Sequence, residues 1–224
     1  MRATAIVPVK RFGAAKSRLA GTAAADLRPQ LARGMLADVL AALAASSELE
    51  RLIVVSGERA AQEAAREAGA EWLGDPDDRG HSQAAARGVA AARASGSHCV
   101  ALLPGDCPLL RAEELDRALA EMDEGVAGVV PDRHGSGTNG LLLSPPDAIE
   151  PSFGPGSRER HLDLARAAGV EPRVVDVPSL ALDLDTAEDL RELSRRLGAD
   201  PGLAPATAAA LLLVGEPGAT AAER

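Results

Sequence analysis

The stretch TAIVPVKRFGAAKSR, residues 4–18, joins a short apolar run to a basic loop that contains glycine. Similar apolar runs recur along the chain and alternate with longer segments rich in Ala, Leu, Glu and Arg. Because the short runs predict buried strands and the longer segments predict helices, the alternation indicates an α/β domain with a largely parallel sheet. We expect one domain over residues 1–199, followed by an Ala-, Pro- and Gly-rich tail over residues 200–224.

The individual strands and helices can be assigned from this pattern. The predicted strands cover residues 4–9, 51–56, 98–105, 127–132, 138–144 and 173–178. The predicted helices cover residues 28–46, 58–69, 82–95, 111–122, 158–169 and 186–198. In open α/β sheets, ligands bind beyond the carboxyl ends of the strands, near the point where the strand order reverses. The loops that follow the strands are therefore the places to search for a site.

Charge and composition exclude several classes of partner. The 224 residues include 24 basic and 33 acidic side chains, a formal net charge of −9, which argues against nucleic-acid binding. No apolar run approaches transmembrane length and no signal-peptide pattern is visible, so we expect no membrane partner. Cys99 and Cys107 lack the partner spacing of a zinc site, and we interpret them as reduced thiols of a cytoplasmic protein.

Lysine is confined to one loop of this chain. Lys10 and Lys16 are the only lysines, whereas the other 22 basic residues are arginines. A compact ammonium group on a flexible stem can follow the oxygens of a polyphosphate, which a planar guanidinium does less well. The loop lacks the spacing of a P-loop, although Gly13 permits close backbone approach. Phosphate binding is therefore one interpretation of the two lysines, and chance placement is the other.

Three aspartates follow predicted strands or extended segments. Asp106 lies in the loop PGDCPLL, either as a turn residue or as a metal ligand. In ALDLDT, Asp183 and Asp185 alternate with leucines, so both carboxylates point the same way in an extended chain. Asp185 also fits as the N-cap of the next helix, with Glu188 completing a capping box. Since a cap needs only one aspartate, the three carboxylates predict a hard oxygen site suited to Mg²⁺.

Two later loops, PDRHGSGTNG (131–140) and SFGPGSRERH (152–161), combine glycine with hydroxyl and arginine side chains. Gly154 and Ser157 precede a predicted helix, whose N-terminal N–H groups can bind phosphate. His134 and His161 are interpreted as ordinary loop or helix-surface histidines, because the chemistry suggested by the other residues needs no histidine base.

Taken together, VPVK-F-x-x-A-K-S-R-L, PGDCPLL, DRHGSGTN, FGPGSRERH and ALDLDT resemble the CofC/FbiD family, the guanylyltransferases of coenzyme F420 biosynthesis, over roughly residues 4–198. The resemblance implies a Rossmann-like, GT-A-like nucleotidyltransferase fold, a three-layer sandwich with a mostly parallel mixed sheet. It also implies GTP as donor, Mg²⁺ as cofactor and a phospho-acid as acceptor. Phosphoenolpyruvate is the expected acid, with 2-phospho-L-lactate and 3-phospho-D-glycerate as alternatives.

Carried over by position, the resemblance and the motifs predict three sets of site residues. The nucleotide-binding set is Pro8, Lys10, Lys16, Arg18, Gly80 and Ser82, with Lys10, Lys16 and Asp106 expected to act in catalysis. The acceptor-binding set is Thr138, Gly154 and Ser157, and the metal-binding set is Asp106, Asp183 and Asp185. Relatives usually have Gly-Leu-Asn where this chain has Gly80-His81-Ser82-Gln83, so guanine recognition departs from the family pattern here.

Other functions share part of this pattern. A molybdenum-cofactor or sugar-phosphate nucleotidyltransferase has the same fold, but usually opens with a Gly-rich loop that this chain replaces by VPVKRFG. A glycosyltransferase would carry a D-x-D motif at mid-chain. An inactive nucleotide-sensing domain is the non-enzyme alternative, which the full set of carboxylates and lysines disfavours. A homodimer, and hand-off of the product to the next enzyme of the F420 pathway, are further expectations.

Overall fold

The computed structural model describes residues 3–10 and 28–214, in which seven strands form one sheet. The strands are β1 (Ala3–Pro8), β2 (Leu49–Ser56), β3 (Glu71–Gly74), β4 (Cys99–Leu102), β5 (Val126–Pro131), β6 (Thr138–Ser144) and β7 (Glu171–Val174). The helices are α1 (Arg28–Ala44), α2 (Arg59–Glu67), α3 (His81–Ala94), α4 (Ala112–Ala120), α5 (Ser157–Ala167), α6 (Ala187–Ala199) and α7 (Pro205–Val214). Short 3-10 turns cover Pro178–Leu180 and Pro201–Leu203.

The strand order in the sheet is β3-β2-β1-β4-β6-β5-β7. The pairs β1–β2, β2–β3, β1–β4 and β5–β7 are parallel, whereas β6 is antiparallel to both of its neighbours, β4 and β5. The chain moves outward from β1 to β3 and then returns to place β4 on the other side of β1, so the strand order reverses between β1 and β4. Ligand-binding loops are expected at the carboxyl ends of these two strands.

Helices cover both faces of the sheet, and alternate residues of each strand face opposite layers. In β1, Ala5 and Val7 pack with the cluster formed by α1, α2, α4, α6 and α7, whereas Ile6 packs with the cluster formed by α3 and α5. The result is the three-layer α/β sandwich that the sequence predicted. Since aromatic residues make up only 1% of the chain, the core is built largely from Ala, Val and Leu.

Small residues allow the helices to approach the sheet and each other closely. A Cβ atom at Gly88 of α3 would lie 2.3 Å from Cγ2 of Ile6 in β1. At Gly34 of α1, a Cβ would lie 2.8 Å from the backbone oxygen of Ala206 in α7. Both distances are far inside van der Waals contact, so the sites where α3 crosses β1 and α1 crosses α7 require glycine.

The predicted elements agree with the structure within a few residues, and two further elements were not predicted. The strand β3 is a four-residue edge strand, EWLG, which is too short to show a periodic pattern. The helix α7 lies between Pro and Gly residues that suggested an irregular tail from residue 200 onward. In the structure, residues 201–214 instead form a 3-10 turn and a helix that packs on α1.

A buried carboxylate joins the last helix to the first one. Asp38 of α1 is 7% exposed and accepts hydrogen bonds from the backbone N–H groups of Ala206 and Thr207, at 3.1 and 2.7 Å. It also accepts from the Thr207 hydroxyl at 2.6 Å. Asp38 thereby satisfies N–H groups in the first turn of α7, which have no partner within their own helix. Among the helices described, none combines the length and the apolar character needed to span a bilayer.

Replacing this cap tests whether α7 is an integral part of the fold. We expect Asp38→Ala to lower the free energy of unfolding by about 2 kcal/mol, because it leaves buried donors without an acceptor. The control is Glu63→Ala, which removes a carboxylate that pairs, among the described residues, with the largely exposed Arg59 and should change stability by less than about 0.5 kcal/mol. Urea unfolding measures both values, and equal effects of the two substitutions would contradict the role assigned to Asp38.

Candidate active site

A cleft of about 540 Å³ opens at the edge of the sheet where β1, β4 and β5 end and β6 begins. The cleft is lined by most of the predicted site residues that the structure describes. These are Lys10, Ser82, Asp106, Thr138, Gly154, Ser157, Asp183 and Asp185. Pro8 and Gly80 do not line the cleft directly; Pro8 is the last residue of β1, and Gly80 precedes α3. Lys16 and Arg18 lie outside the described residues.

The acidic end of the cleft is formed by two chain segments. Asp106 lies in the loop after β4, and Asp183 and Asp185 lie between a 3-10 turn and α6. Leu182 and Leu184 are buried in the core beneath them, so the predicted alternation of leucine and aspartate is present in the structure. Burial raises the pKa of Asp183, and the nearby charges of Asp106 and Asp185 raise it further. The three carboxylates therefore share a volume that favours a cation.

The arrangement of these carboxylates differs from that of a preformed metal cage. Within residues 3–10 and 28–214, no three His, Cys, Asp or Glu side chains converge closely enough to form a ready-made cage. Mg²⁺ usually keeps several waters and binds through one or two carboxylates together with substrate phosphates. The donor chemistry at this end of the cleft therefore fits an ion that is held jointly by the protein and by a phosphate ligand.

Asn139 was not predicted as a site residue, yet it holds the acidic segment in place. Its side chain is 7% exposed, and its Nδ2 donates to the Leu180 carbonyl at 2.8 Å and to Oδ1 of Asp183 at 3.3 Å. Asn is depleted in strands, so an Asn at the second residue of β6 was the available signal in the sequence. The contact fixes the position of Asp183 relative to the start of β6.

The predicted helix cap at Asp185 is wrong by one residue. Thr186 is the N-cap of α6, and Asp189, rather than Glu188, completes the capping box. Oδ2 of Asp189 accepts from the backbone N–H of Asp185 at 3.1 Å and from that of Thr186 at 2.6 Å, while Oδ1 pairs with Arg133 at 2.7 Å. Because Thr186 supplies the cap, the Asp185 side chain lines the cleft instead.

The opposite end of the cleft is formed by β6, α5 and the loop between them. Ser157 is the first residue of α5 and is 1% exposed, and its Oγ donates to Oγ1 of Thr138 at 3.1 Å. Gly154 and Gly156 have φ values of 117° and 69°, which favour glycine. Arg160 holds this loop by donating to the backbone oxygens of Ser152 and Pro155. The first two N–H groups of α5 donate to the oxygens of Gly154 and Ser136, so the polar groups of this end of the cleft include the two hydroxyls and not those N–H groups.

His161 is a buried core residue and not the surface histidine that the sequence suggested. It is 0% exposed, its Nδ1 lies 3.0 Å from Oγ1 of Thr138, and its Nε2 accepts from the Ser152 N–H at 2.9 Å. Burial, followed by the charge of Arg160, lowers the pKa of His161 to about 4. The ring is therefore neutral at physiological pH.

A third part of the cleft lies at the start of α3. Burial lowers the pKa of His81, the first residue of α3, to about 4; the charge of Asp106 opposes this shift and that of Lys10 adds to it. Lys10, His81 and Asp106 therefore lie around one volume. The rings of Phe153 and His81 pack in a T-shaped arrangement with 4.8 Å between their centroids, and the Phe153 N–H donates to Oγ of Ser82 at 2.9 Å. These contacts connect this part of the cleft to the end formed by β6 and α5.

Comparison with known proteins identifies the family. The model of the family described as "Guanylyl transferase CofC like" matches residues 3–196. The chain belongs to this guanylyltransferase family. Phosphoenolpyruvate guanylyltransferase from Conexibacter woesei is 47% identical over 207 residues, covering 89% of this chain and 92% of that protein. The protein of the same name from Streptomyces coelicolor is 41% identical, covering 96% of this chain and 100% of the relative.

Solved structures with low sequence identity support the fold alone. A nucleotidyl transferase from Methanothermobacter thermautotroptrophicus superposes with a TM-score of 0.65 at 21% identity, covering 88% of this chain and 98% of the other. A CMP:2-keto-3-deoxy-manno-octonic acid synthetase has a TM-score of 0.58 at 13% identity, covering 90% of this chain and 100% of the other. The predicted nucleotidyltransferase fold is confirmed, and membership of the guanylyltransferase family makes the chain a nucleotidyltransferase.

The buried His161 of this guanylyltransferase provides a test by pH. The pKa of His161 is about 4 in the folded protein and has the ordinary value of 6.5 in the unfolded chain. As the pH falls, the unfolded chain therefore binds the proton first, so the contribution of His161 to the free energy of unfolding is fully present only above pH 6.5. That contribution is lost as the pH falls from 6.5 towards 4. We expect the free energy of unfolding to drop by roughly 2 kcal/mol from this residue between pH 7 and pH 5.

Urea unfolding of the wild type and of His161→Asn at the two pH values measures this contribution. The variant lacks the titrating ring, so its stability should fall less steeply between pH 7 and pH 5, with the remaining slope including that from His81. Identical slopes for the two proteins would show that His161 titrates normally in the folded state.

Proposed function

We propose that this protein transfers the guanylyl group of GTP to phosphoenolpyruvate and releases pyrophosphate, as a step in coenzyme F420 biosynthesis. The observation that carries the proposal is the division of one cleft into two ends. Three carboxylates and Lys10 lie at one end, and the hydroxyls of Thr138 and Ser157 lie at the other. Relatives that are 36–47% identical over most of their length and carry the name phosphoenolpyruvate guanylyltransferase support the choice of substrates.

The proposed reaction is a displacement at phosphorus. An oxygen of the acceptor phosphate, whose second pKa is near ~6, is already anionic at neutral pH. It forms a bond to the α-phosphorus of GTP, and the bond from that phosphorus to the bridging oxygen of the β-phosphate breaks. The electron pair leaves with pyrophosphate. No proton has to be removed from the nucleophile, so the reaction needs no histidine base, and burial lowers the pKa of His81 at the cleft to about 4.

The principal barrier to this reaction is repulsion between two anions. Lys10, exposed at the end of β1, offers a flexible ammonium group to the phosphates of the nucleotide. Asp106, Asp183 and Asp185 would hold Mg²⁺, which when bound neutralises phosphate charge and polarises phosphoryl oxygens. The Thr138 hydroxyl, which accepts from Ser157 at the start of α5, would hold the acid, so that its phosphate faces the nucleotide.

The recognition of guanine is the part of the proposal that departs from the family pattern. His81 and Ser82 begin α3 at the nucleotide end of the cleft, and Gly80 precedes them with a φ of 110°. The N-terminal N–H groups of α3 and the edge of the His81 ring are the polar groups that this segment offers to a base or ribose. We propose that they replace the contacts made in relatives with Gly-Leu-Asn.

The acceptor can be tested directly with purified protein, GTP and Mg²⁺. We expect kcat/KM with phosphoenolpyruvate to exceed that with 2-phospho-L-lactate by about tenfold or more, since one misplaced methyl group in a pocket costs roughly 1 to 3 kcal/mol. Pyrophosphate release measures each rate, and 3-phospho-D-glycerate is assayed alongside. The reverse order would change the acceptor and leave guanylyl transfer intact, whereas no release with any phospho-acid would contradict the proposed function.

A second test separates metal binding from folding. Asp183→Asn should raise the Mg²⁺ concentration needed for half-maximal pyrophosphate release by about tenfold or more, because it removes one of the anionic ligands. Its free energy of unfolding should stay the same or rise, since the substitution relieves repulsion from Asp106 and Asp185. The control is Asp176→Asn, an exposed carboxylate that does not line the cleft. An unchanged Mg²⁺ requirement in Asp183→Asn would argue against the metal site.

A further inference from the structure

His161 lies one helical turn after Ser157, at the position i+4, and both face β6. Its ring has two hydrogen-bonding partners, the Ser152 N–H at Nε2 and the Thr138 hydroxyl at Nδ1. The Phe153 ring also packs edge-on against it, at 5.1 Å between centroids. The imidazole is therefore held from three directions, although the proposed reaction needs no histidine base.

The partners of His161 determine which ring nitrogen carries the proton. A backbone N–H can only donate, so Nε2, which faces Ser152, must present a lone pair. A neutral imidazole carries its single proton on the other nitrogen, and Nδ1–H therefore donates to Oγ1 of Thr138. Burial of the ring, which lowers the pKa of His161 to about 4, keeps it in this neutral form.

The orientation of the Thr138 hydroxyl follows from this assignment. A hydroxyl oxygen has two lone pairs and one proton to donate. Oγ1 of Thr138 accepts from Nδ1–H of His161 at 3.0 Å and from the Ser157 hydroxyl at 3.1 Å, which uses both lone pairs. Its own proton must point away from these two donors, and Thr138 lines the cleft. The hydroxyl is thus presented to the cleft as a fixed donor.

We propose that His161 is a positioning residue that orients the Thr138 hydroxyl to donate a hydrogen bond to an anionic oxygen of the acceptor. The inference rests on the proposed placement of the acceptor at this end of the cleft. Without the ring, the hydroxyl can rotate and donate to the oxygen of Ser157 instead. A donor that is oriented before the acid binds loses no free energy to reorientation, and a hydrogen bond to a charged oxygen is among the stronger ones.

Two substitutions at position 161 separate the two contacts of the ring. Asn places an amide N–H near the Nδ1 position, which faces Thr138. Gln places an amide oxygen near the Nε2 position, which faces Ser152, and leaves Thr138 without this donor. We expect His161→Gln to raise the KM for phosphoenolpyruvate by roughly tenfold or more and His161→Asn to raise it much less. The KM for GTP should change little in either variant.

A double substitution tests whether His161 acts through Thr138. Thr138→Val removes the donor itself and should also raise the KM for phosphoenolpyruvate by roughly tenfold or more. Adding His161→Gln to Thr138→Val should then cause little further increase, because the residue to be oriented is already absent. Multiplicative effects of the two substitutions, or equal effects of Gln and Asn at position 161, would mean that His161 only supports the fold, and would overturn the inference.

A spectroscopic measurement on the wild-type protein decides the tautomer without relying on any variant. Proton–nitrogen correlation spectra of the ¹⁵N-labelled imidazoles should show His161 protonated at Nδ1 and unprotonated at Nε2 at pH 7. A proton on Nε2 would overturn the inference at its first step. Wild-type protein that has the expected tautomer but releases no pyrophosphate with any phospho-acid would instead refute the proposed function, and the assignment of the acceptor with it.

Discussion

The site depends on the direction in which β6 runs. Because β6 lies antiparallel between β4 and β5, its first residues, Thr138 and Asn139, lie at the edge where β4 and β5 end. The same edge carries Lys10 after β1 and Asp106 after β4, next to the point where the strand order reverses. A parallel strand in this place would present its last residues here instead. One reversed strand in a mostly parallel sheet therefore brings a second set of polar side chains to the binding edge.

The first two residues of β6 contact opposite layers of the sandwich. They lie where the pairing between β5 and β6 shifts its register, so the regular alternation of the strand does not by itself assign their faces. Thr138 contacts His161 of α5, on the face covered by α3 and α5, whereas Asn139 contacts Asp183, in the segment that packs its leucines into the other layer. The start of β6 thus connects both layers, one to the end of the cleft formed by β6 and α5 and the other to the acidic end.

The electrostatics of the cleft suit a reaction between two anions in an acidic protein. The formal net charge is −9, so local groups must supply the attraction for phosphates. Lys10, the N-terminus of α3 and the Thr138 hydroxyl are groups of the cleft that can supply it. Burial lowers the pKa of His81 and of His161 to about 4, so these two rings add no charge at neutral pH.

The α/β class, most of the helices and strands, and several of the residues that line the cleft could be predicted from the amino-acid sequence. They were predictable because strand and helix periodicities are local, and because site residues follow strands in an open sheet. The roles of Asn139 and His161, the cap at Thr186, and the packing of α7 against Asp38 are visible only in the folded chain. Each of these depends on a hydrogen bond or a close approach whose geometry is set by the packed chain. An isolated His, Thr or Asn in a sequence does not reveal its partner, because burial and neighbouring donors give it that partner only after the chain has folded.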